Sequence, residues 1–346
     1  MMLHDLCEVF EDHEFPALGV RAHPEREAVV ALRVATAKAV ADDEFLADCL
    51  SLELRRIKEN RLHLGFDPFF TLPGLGVRFA LGLWQPGRGP GPHEHTAWTI
   101  TAVCRNELEV VVYQREESYR RRELVLKERF SASAGRVGFI YEPCIHAPTN
   151  RSSDFSLSLH ISSPRDGEPL EDHTEPVPSV RALGELSPEE RDHPYIHVMV
   201  ARERQTAARE FARVLTPMKV RQAPQLLAWC YELASSATRN WIDRTAPPSC
   251  ERQTGSRWVL RRTHPDLKIH ARPQGERIAL EVQMPEGPLD EIVLHDETHA
   301  AHAALAFIAR EPVFDVRDLP GNLSSDEQSA LGEALEERGL FTRVHS

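Results

Sequence analysis

The sequence predicts a mainly β fold, with helices in front of the β block and a helical segment and a small α+β domain behind it. Three observations carry this. Short β-branched runs separated by turns fill residues 62–165, an Ala-, Leu- and Arg-rich stretch without Pro or Gly precedes them, and a Pro-rich charged stretch follows. The expected organisation is a β domain over 1–165, a Pro-rich linker and helical segment over 166–250, and an α+β domain over 251–346.

From about Glu27 to Lys58, Val30, Leu32, Val34, Ala37, Val40, Phe45, Leu46 and Leu50 form an apolar stripe, which fits two helices joined near Ala41–Glu44. The runs 76–84, 107–113, 136–141 and 155–161 read as strands of an antiparallel sandwich or small barrel. A small barrel has an interior that holds one ligand. Between Arg165 and Glu189, four prolines among charged residues read as a linker. Helices are expected at about 191–215 and 223–244. After them come strands near 257–260 and 277–282, a helix over 296–309, and a helix over 324–338 with a Ser324/Glu327 capping box, closed by Gly339.

The composition is that of an ordinary soluble globular chain: 41% apolar and 27% charged over 346 residues. A net charge of −12 argues against a surface built to neutralise phosphates, and about thirteen acidic against four basic residues from Glu286 onward repeat the point locally. The expectation is therefore no nucleic-acid and no membrane partner. Six cysteines without a CxxC pair, and no long apolar run, read as a reduced cytoplasmic protein.

Chemistry concentrates at His93-Glu94-His95. On an extended strand, residues two apart share a face, so the two imidazoles stand side by side while Glu94 points away. A Gly/Pro turn, residues 85–92, leads in, and β-branched residues 99–103 lead out. Two imidazoles are half of a metal site, and His146, about fifty residues on at the junction of a strand with a Pro-containing turn, is the natural third. Ser158, His160 and Ser162 alternate, so all three face one side. Cys144 shares the face of His146 and reads as an inert core thiol.

Gly87 followed by His93-Glu94-His95, with His146 through Asn150 later, resembles the two cupin motifs. The usual cupin glutamate is missing, since Thr99 and Ile100 stand where it is expected. Within the cupins the sequence is similar to the thiol dioxygenases, the cysteine and 3-mercaptopropionate dioxygenase group. It shares the Trp of His95-Thr96-Ala97-Trp98, the His-x-x-x-Asn of His146 and Asn150, and the Ser-Leu-His ending at Ser158, Leu159 and His160. The resemblance covers roughly residues 27–165 and implies a double-stranded β-helix barrel. It also implies Fe(II) held by His93, His95 and His146, O2 as co-substrate, and oxidation of a thiol to a sulfinate. His160, oriented by Ser158, is then the group that hydrogen-bonds substrate or oxygen.

The departures bear on the substrate. The family tyrosine is replaced by Ser162, with Tyr141 as the candidate substitute. The crosslinking cysteine falls at Ile100, so no thioether is expected. Arg61 and Arg78 are the candidates for gripping a substrate carboxylate, with Trp98 beside them. The thiol is then cysteine-like, a mercapto acid, or one carried on a peptide or larger molecule. Residues 296–344 look similar to a winged-helix module, which with this acidic surface implies homodimerisation through the C-terminal half or a protein partner. His295, His299 and His302 near one helix start read as exposed side chains. The alternative to an enzyme is a non-catalytic metal- or ligand-binding cupin acting as a sensor or partner-binding module.

Overall fold

The computed structural model describes residues 3–59, 67–170, 177–179, 186–245, 257–296 and 300–344. The chain divides into two units, Met1–Glu59 with His63–Glu185 and Pro217–Leu226, and Asn60–Leu62 with Leu186–Thr216 and Leu227–Ser346.

The first unit opens with helices α1 (Leu3–Asp12), α2 (Arg26–Ala39) and α3 (Asp43–Glu59), the last two meeting where the sequence predicts. α1 lies outside the predicted elements. The β domain has two antiparallel sheets. Strands β1 (Phe70–Thr71), β2 (Arg78–Trp84), β4 (Thr99–Arg105), β7 (Val137–Ile140) and β9 (Ser156–Ser162) form one, in the order β1-β2-β9-β4-β7. Strands β3 (His93–His95), β5 (Glu107–Tyr113), β6 (Leu126–Ser133) and β8 (Cys144–Thr149) form the other, in the order β3-β8-β5-β6. A short helix, α4 (Arg115–Arg121), joins β5 to β6.

The sheets face each other. Trp84 and Val103 of the first and Leu108 and Ala132 of the second share one buried cluster. The outer face of the first sheet is covered too, for Phe79 of β2 packs edge-on against Phe10 of α1, both essentially inaccessible. Burying such a ring contributes about 1.5–3 kcal/mol. With both faces of the sheet covered, β2 reads as a near-continuous apolar run rather than an alternating one.

His146 lies within β8, which corrects the expected strand–turn junction. Pro148 is tolerated there because β3 reaches only from His146 to Cys144, so at Pro148 the strand is paired on the β5 side alone. The turn before β3 packs on this stretch. A Cβ on Gly89 would meet the Pro148 carbonyl oxygen at 2.3 Å, so only glycine lets the turn lie flat on β8.

In the second unit, α5 (Pro188–Arg191), α6 (Pro194–Leu215), α7 (Ala223–Leu233, its first residues in the first unit) and α8 (Ser236–Thr245) are followed by β10 (Val259–Arg262) and a meander of β11 (Lys268–Gln274), β12 (Arg277–Met284) and β13 (Gly287–His295). Then come α9 (Ala300–Arg310), β14 (Val313–Asp315), α10 (Ser325–Glu337) and β15 (Phe341–Arg343), the sheet order being β14-β10-β15. The Ser324/Glu327 capping box is present. β11 and β13 were not predicted, and the helix expected over 223–244 breaks into α7 and α8. Val198, Leu280, Leu305, Leu335 and Phe341 are among the core of this unit. Among the described residues no helix is long and apolar enough to cross a membrane.

Candidate metal centre

β3 and β8 lie side by side with His93 directly opposite His146 and His95 opposite Cys144. Alternation turns His93 and His95 to one face and Glu94 to the other. Glu94 is fully buried there, held by the Arg115 guanidinium and the Tyr119 hydroxyl of α4. The three imidazoles meet with ring centroids 4.6–5.3 Å apart, and one ring nitrogen from each lies within 4.8 Å of the others.

The outer hydrogen bonds set the tautomers. His93 Nδ1 lies 2.9 Å from the Gly91 carbonyl oxygen, and His95 Nδ1 lies 2.7 Å from Asp166 Oδ2. A carbonyl and a carboxylate only accept, so both Nδ1 atoms carry the proton and both Nε2 atoms present a lone pair to the space between the rings. His146 Nε2 is 3.0 Å from His93 Nε2 and aims at the same place. Burial, then the neighbouring His95, pushes His93 down to about 4, and burial with the other histidines holds His146 well below the usual range. Neutral rings with inward lone pairs are the state in which imidazoles ligate.

Asp166 escaped the sequence reading. It is completely buried and also accepts from the Thr96 and Ala97 backbone N–H groups. Burial alone would raise its pKa, but the His95 imidazole and those N–H groups hold it below the ordinary carboxylate value. It lies beyond Pro164, where composition points to a linker.

His160, from the opposite sheet, sits with Nε2 2.8 Å from Ser158 Oγ and Nδ1 3.3 Å from Thr101 Oγ1. Ser158 in turn accepts the Trp84 indole N–H at 2.7 Å. Trp84 and Thr101 were not singled out from sequence, although each lies on a strand whose inward positions were legible. Burial, then His95 and His93, brings His160 down to about 3, so its ring is neutral at pH 7. A cavity of about 410 Å³ reaches His146 and His160 and is walled largely by apolar side chains, among them Val110, Val112, Phe130, Phe139 and Ile140. Cys144 lines it with a thiol whose pKa burial raises. Arg33, Lys127, Glu128, Arg136 and Glu142 also line it, so its charged rim is mixed in sign.

Three other expected residues lie elsewhere. The Tyr141 hydroxyl donates to the Pro24 carbonyl at 2.8 Å and its ring meets His23, which corrects the expectation that it reaches the histidines. Arg78 donates to the Ser163 and Asp166 carbonyls, each at 3.0 Å, and so fastens the segment that carries Asp166 instead of lining the cavity. Trp98 is buried edge-on against Phe15, on a different cavity. Arg61 lies outside the described residues. Of the three C-terminal histidines, His299 is also outside them, while His302 Nδ1 lies 3.0 Å from Asp296 Oδ2.

No protein-family profile and no curated sequence matches the chain. Solved structures resemble about a quarter of it. Oxalate decarboxylase of Bacillus subtilis, studied for its Mn(II) centres, is 18% identical over 25% of this chain and 21% of that one, with a TM-score of 0.22. A cupin superfamily protein of Desulfitobacterium hafniense is 15% identical over 25% of this chain and 66% of its own, with a TM-score of 0.20. An oxalate oxidase is 26% identical over 28% of this chain and 47% of that one, with a TM-score of 0.23. The chain thus spans about a fifth of the decarboxylase and about half of the oxidase.

Proposed function

We propose that the first unit is a cupin-type oxygenase that oxidises the sulfur of a thiol to a sulfinate, with Fe(II) held by the Nε2 atoms of His93, His95 and His146 and O2 as co-substrate. The observation that carries this reading is the pair of acceptor-only partners, the Gly91 carbonyl and Asp166, which fix two imidazoles with their lone pairs converging. When bound, the iron lowers the thiol pKa and gives sulfur and O2 a common meeting point, and both oxygen atoms end on the sulfur.

The chain's own groups do the rest. Asp166 and the Gly91 carbonyl orient the ligands. Ser158 and Thr101 engage the two ring nitrogens of His160 and hold the neutral ring on the cavity wall, where it is no source of an imidazolium proton at pH 7. A volume of about 410 Å³ falls within the range of about 300–1,000 Å³ typical of pockets for larger ligands, which favours a thiol with an apolar body over a three-carbon one.

The test is anaerobic reconstitution with Fe(II), then oxygen uptake with cysteine, 3-mercaptopropionate, cysteamine, mercaptosuccinate, a cysteinyl peptide and an arylalkyl mercapto acid. Uptake with one thiol, sulfinate as product and loss of both iron and uptake in His146→Ala are expected. Iron bound without uptake from any thiol points instead to a sensor, and no iron bound at all sinks the ligand assignment.

A further inference from the structure

The second unit contains a group of side chains for which the proposed thiol chemistry has no use. Asp192 follows the last residue of α5, His197 lies in the first turn of α6, and His264 sits in the turn after β10. Their backbones are fixed independently. His193 caps α6 through Tyr195 N, and Thr263 anchors the β10 turn by donating from its backbone N to the Leu340 carbonyl and from its hydroxyl to the Gly339 carbonyl.

One ligand atom from each of the three lies within 4.8 Å of the others. His197 Nε2 is 3.5 Å and His264 Nε2 3.9 Å from the same Asp192 Oδ1, and the two rings lie with centroids 4.7 Å apart. These separations are longer than good hydrogen bonds. His197 Nε2 is buried and makes no well-formed hydrogen bond among the described residues, Asp192 Oδ1 at 3.5 Å standing at the limit of one. A buried polar atom in that condition calls for an explanation, and an ion is one of the ordinary ones. That same atom is turned toward Asp192 Oδ1, the carboxylate oxygen the two histidines share.

We propose that Asp192, His197 and His264 form a binding site for a divalent transition metal of the Zn(II) type. Two imidazoles and one carboxylate suit Zn(II) and Co(II), and do not suit Mg(II) or Ca(II), which prefer oxygen. His264 is 8% and His197 23% exposed against 82% for Asp192, so the nitrogen side is the more enclosed and the carboxylate side leaves positions for water or an added ligand. The Asp266 backbone N–H donates to His264 Nδ1 at 3.2 Å, whereas ligation through Nε2 puts the ring proton on Nδ1. Asp266 Oδ2, 4.0 Å from that nitrogen, is the acceptor within reach, so metal loading exchanges a backbone contact for a carboxylate one.

The site is tested in the full chain carrying His93→Ala and His146→Ala, which removes the first candidate centre. Titrated with Co(II), this protein is expected to bind one equivalent, with visible d–d absorption that Zn(II) displaces. Asp192→Asn, at an exposed position that spares the fold, is expected to weaken binding at least tenfold, and His197→Ala with His264→Gln to abolish it. Failure to retain Co(II), or retention that Asp192→Asn leaves unchanged, overturns the proposal. If the double-alanine background does not fold, Asp192→Asn in the otherwise unaltered chain decides: loss of one of two bound equivalents supports the site, and no loss removes it.

Discussion

Asp166 governs a histidine that precedes it by 71 residues. Its carboxylate fixes the His95 tautomer, and carboxylate partners of ligating histidines typically change metal affinity about 10–100-fold when replaced. Asp166→Asn keeps an acceptor oxygen but loses the charge, so Fe(II) affinity measured by chelator competition is expected to fall by about tenfold or more while His93, His95 and His146 stay in place. An unchanged affinity would mean that Asp166 merely packs. The inward faces of His93, His95 and His160 were legible in the sequence because alternation along a strand is a geometric rule. The sequence could not reveal Asp166, Arg78 or Tyr141 in their actual roles, because the direction of a side chain near a strand end depends on which distant carbonyl or imidazole it meets.

At the scale of elements, β3 is three residues long and is held on both sides of its plane. Its inward histidines face His146, while its outward Glu94 is clamped by Arg115 and Tyr119 of α4. Breaking a buried ion pair by removing one partner leaves an uncompensated charge and costs about 3–5 kcal/mol. With Tyr119 still donating, Arg115→Met is expected near the lower end, about 3 kcal/mol, read as a lowered urea midpoint at unchanged slope. A shift under about 1 kcal/mol would show that α4 does not brace β3. Neither α4 nor β6 was legible in the sequence. β6 is exposed along most of its length, so pairing with β5 rather than an apolar pattern makes it a strand. β13, opening on Gly287-Pro288 and carrying Asp290 and Glu291, is the same case.

For the molecule as a whole, the neutral histidines set an acid limit. His93 near 4 and His160 near 3 both lie below the ordinary value of 6.5. The unfolded chain therefore takes up protons that the folded first unit refuses, and stability falls as the pH drops from about 6.5 toward those values. With a chelator present, the urea midpoint is expected to be lower at pH 5 than at pH 7, each histidine contributing at most about 2 kcal/mol. His160→Gln should narrow the difference, and equal midpoints at the two pH values would contradict the burial of neutral rings.

The first unit is not continuous along the chain, since residues 217–226 belong to it although 186–216 belong to the second. Made from its N-terminus on a ribosome, the first unit cannot be complete when its last β-strand emerges, because its final segment arrives only after α6 of the other unit has been synthesised. The same order limits recombination. A gene fragment cut after β9 would carry the three histidines into a new protein without residues 217–226, which belong to the same unit.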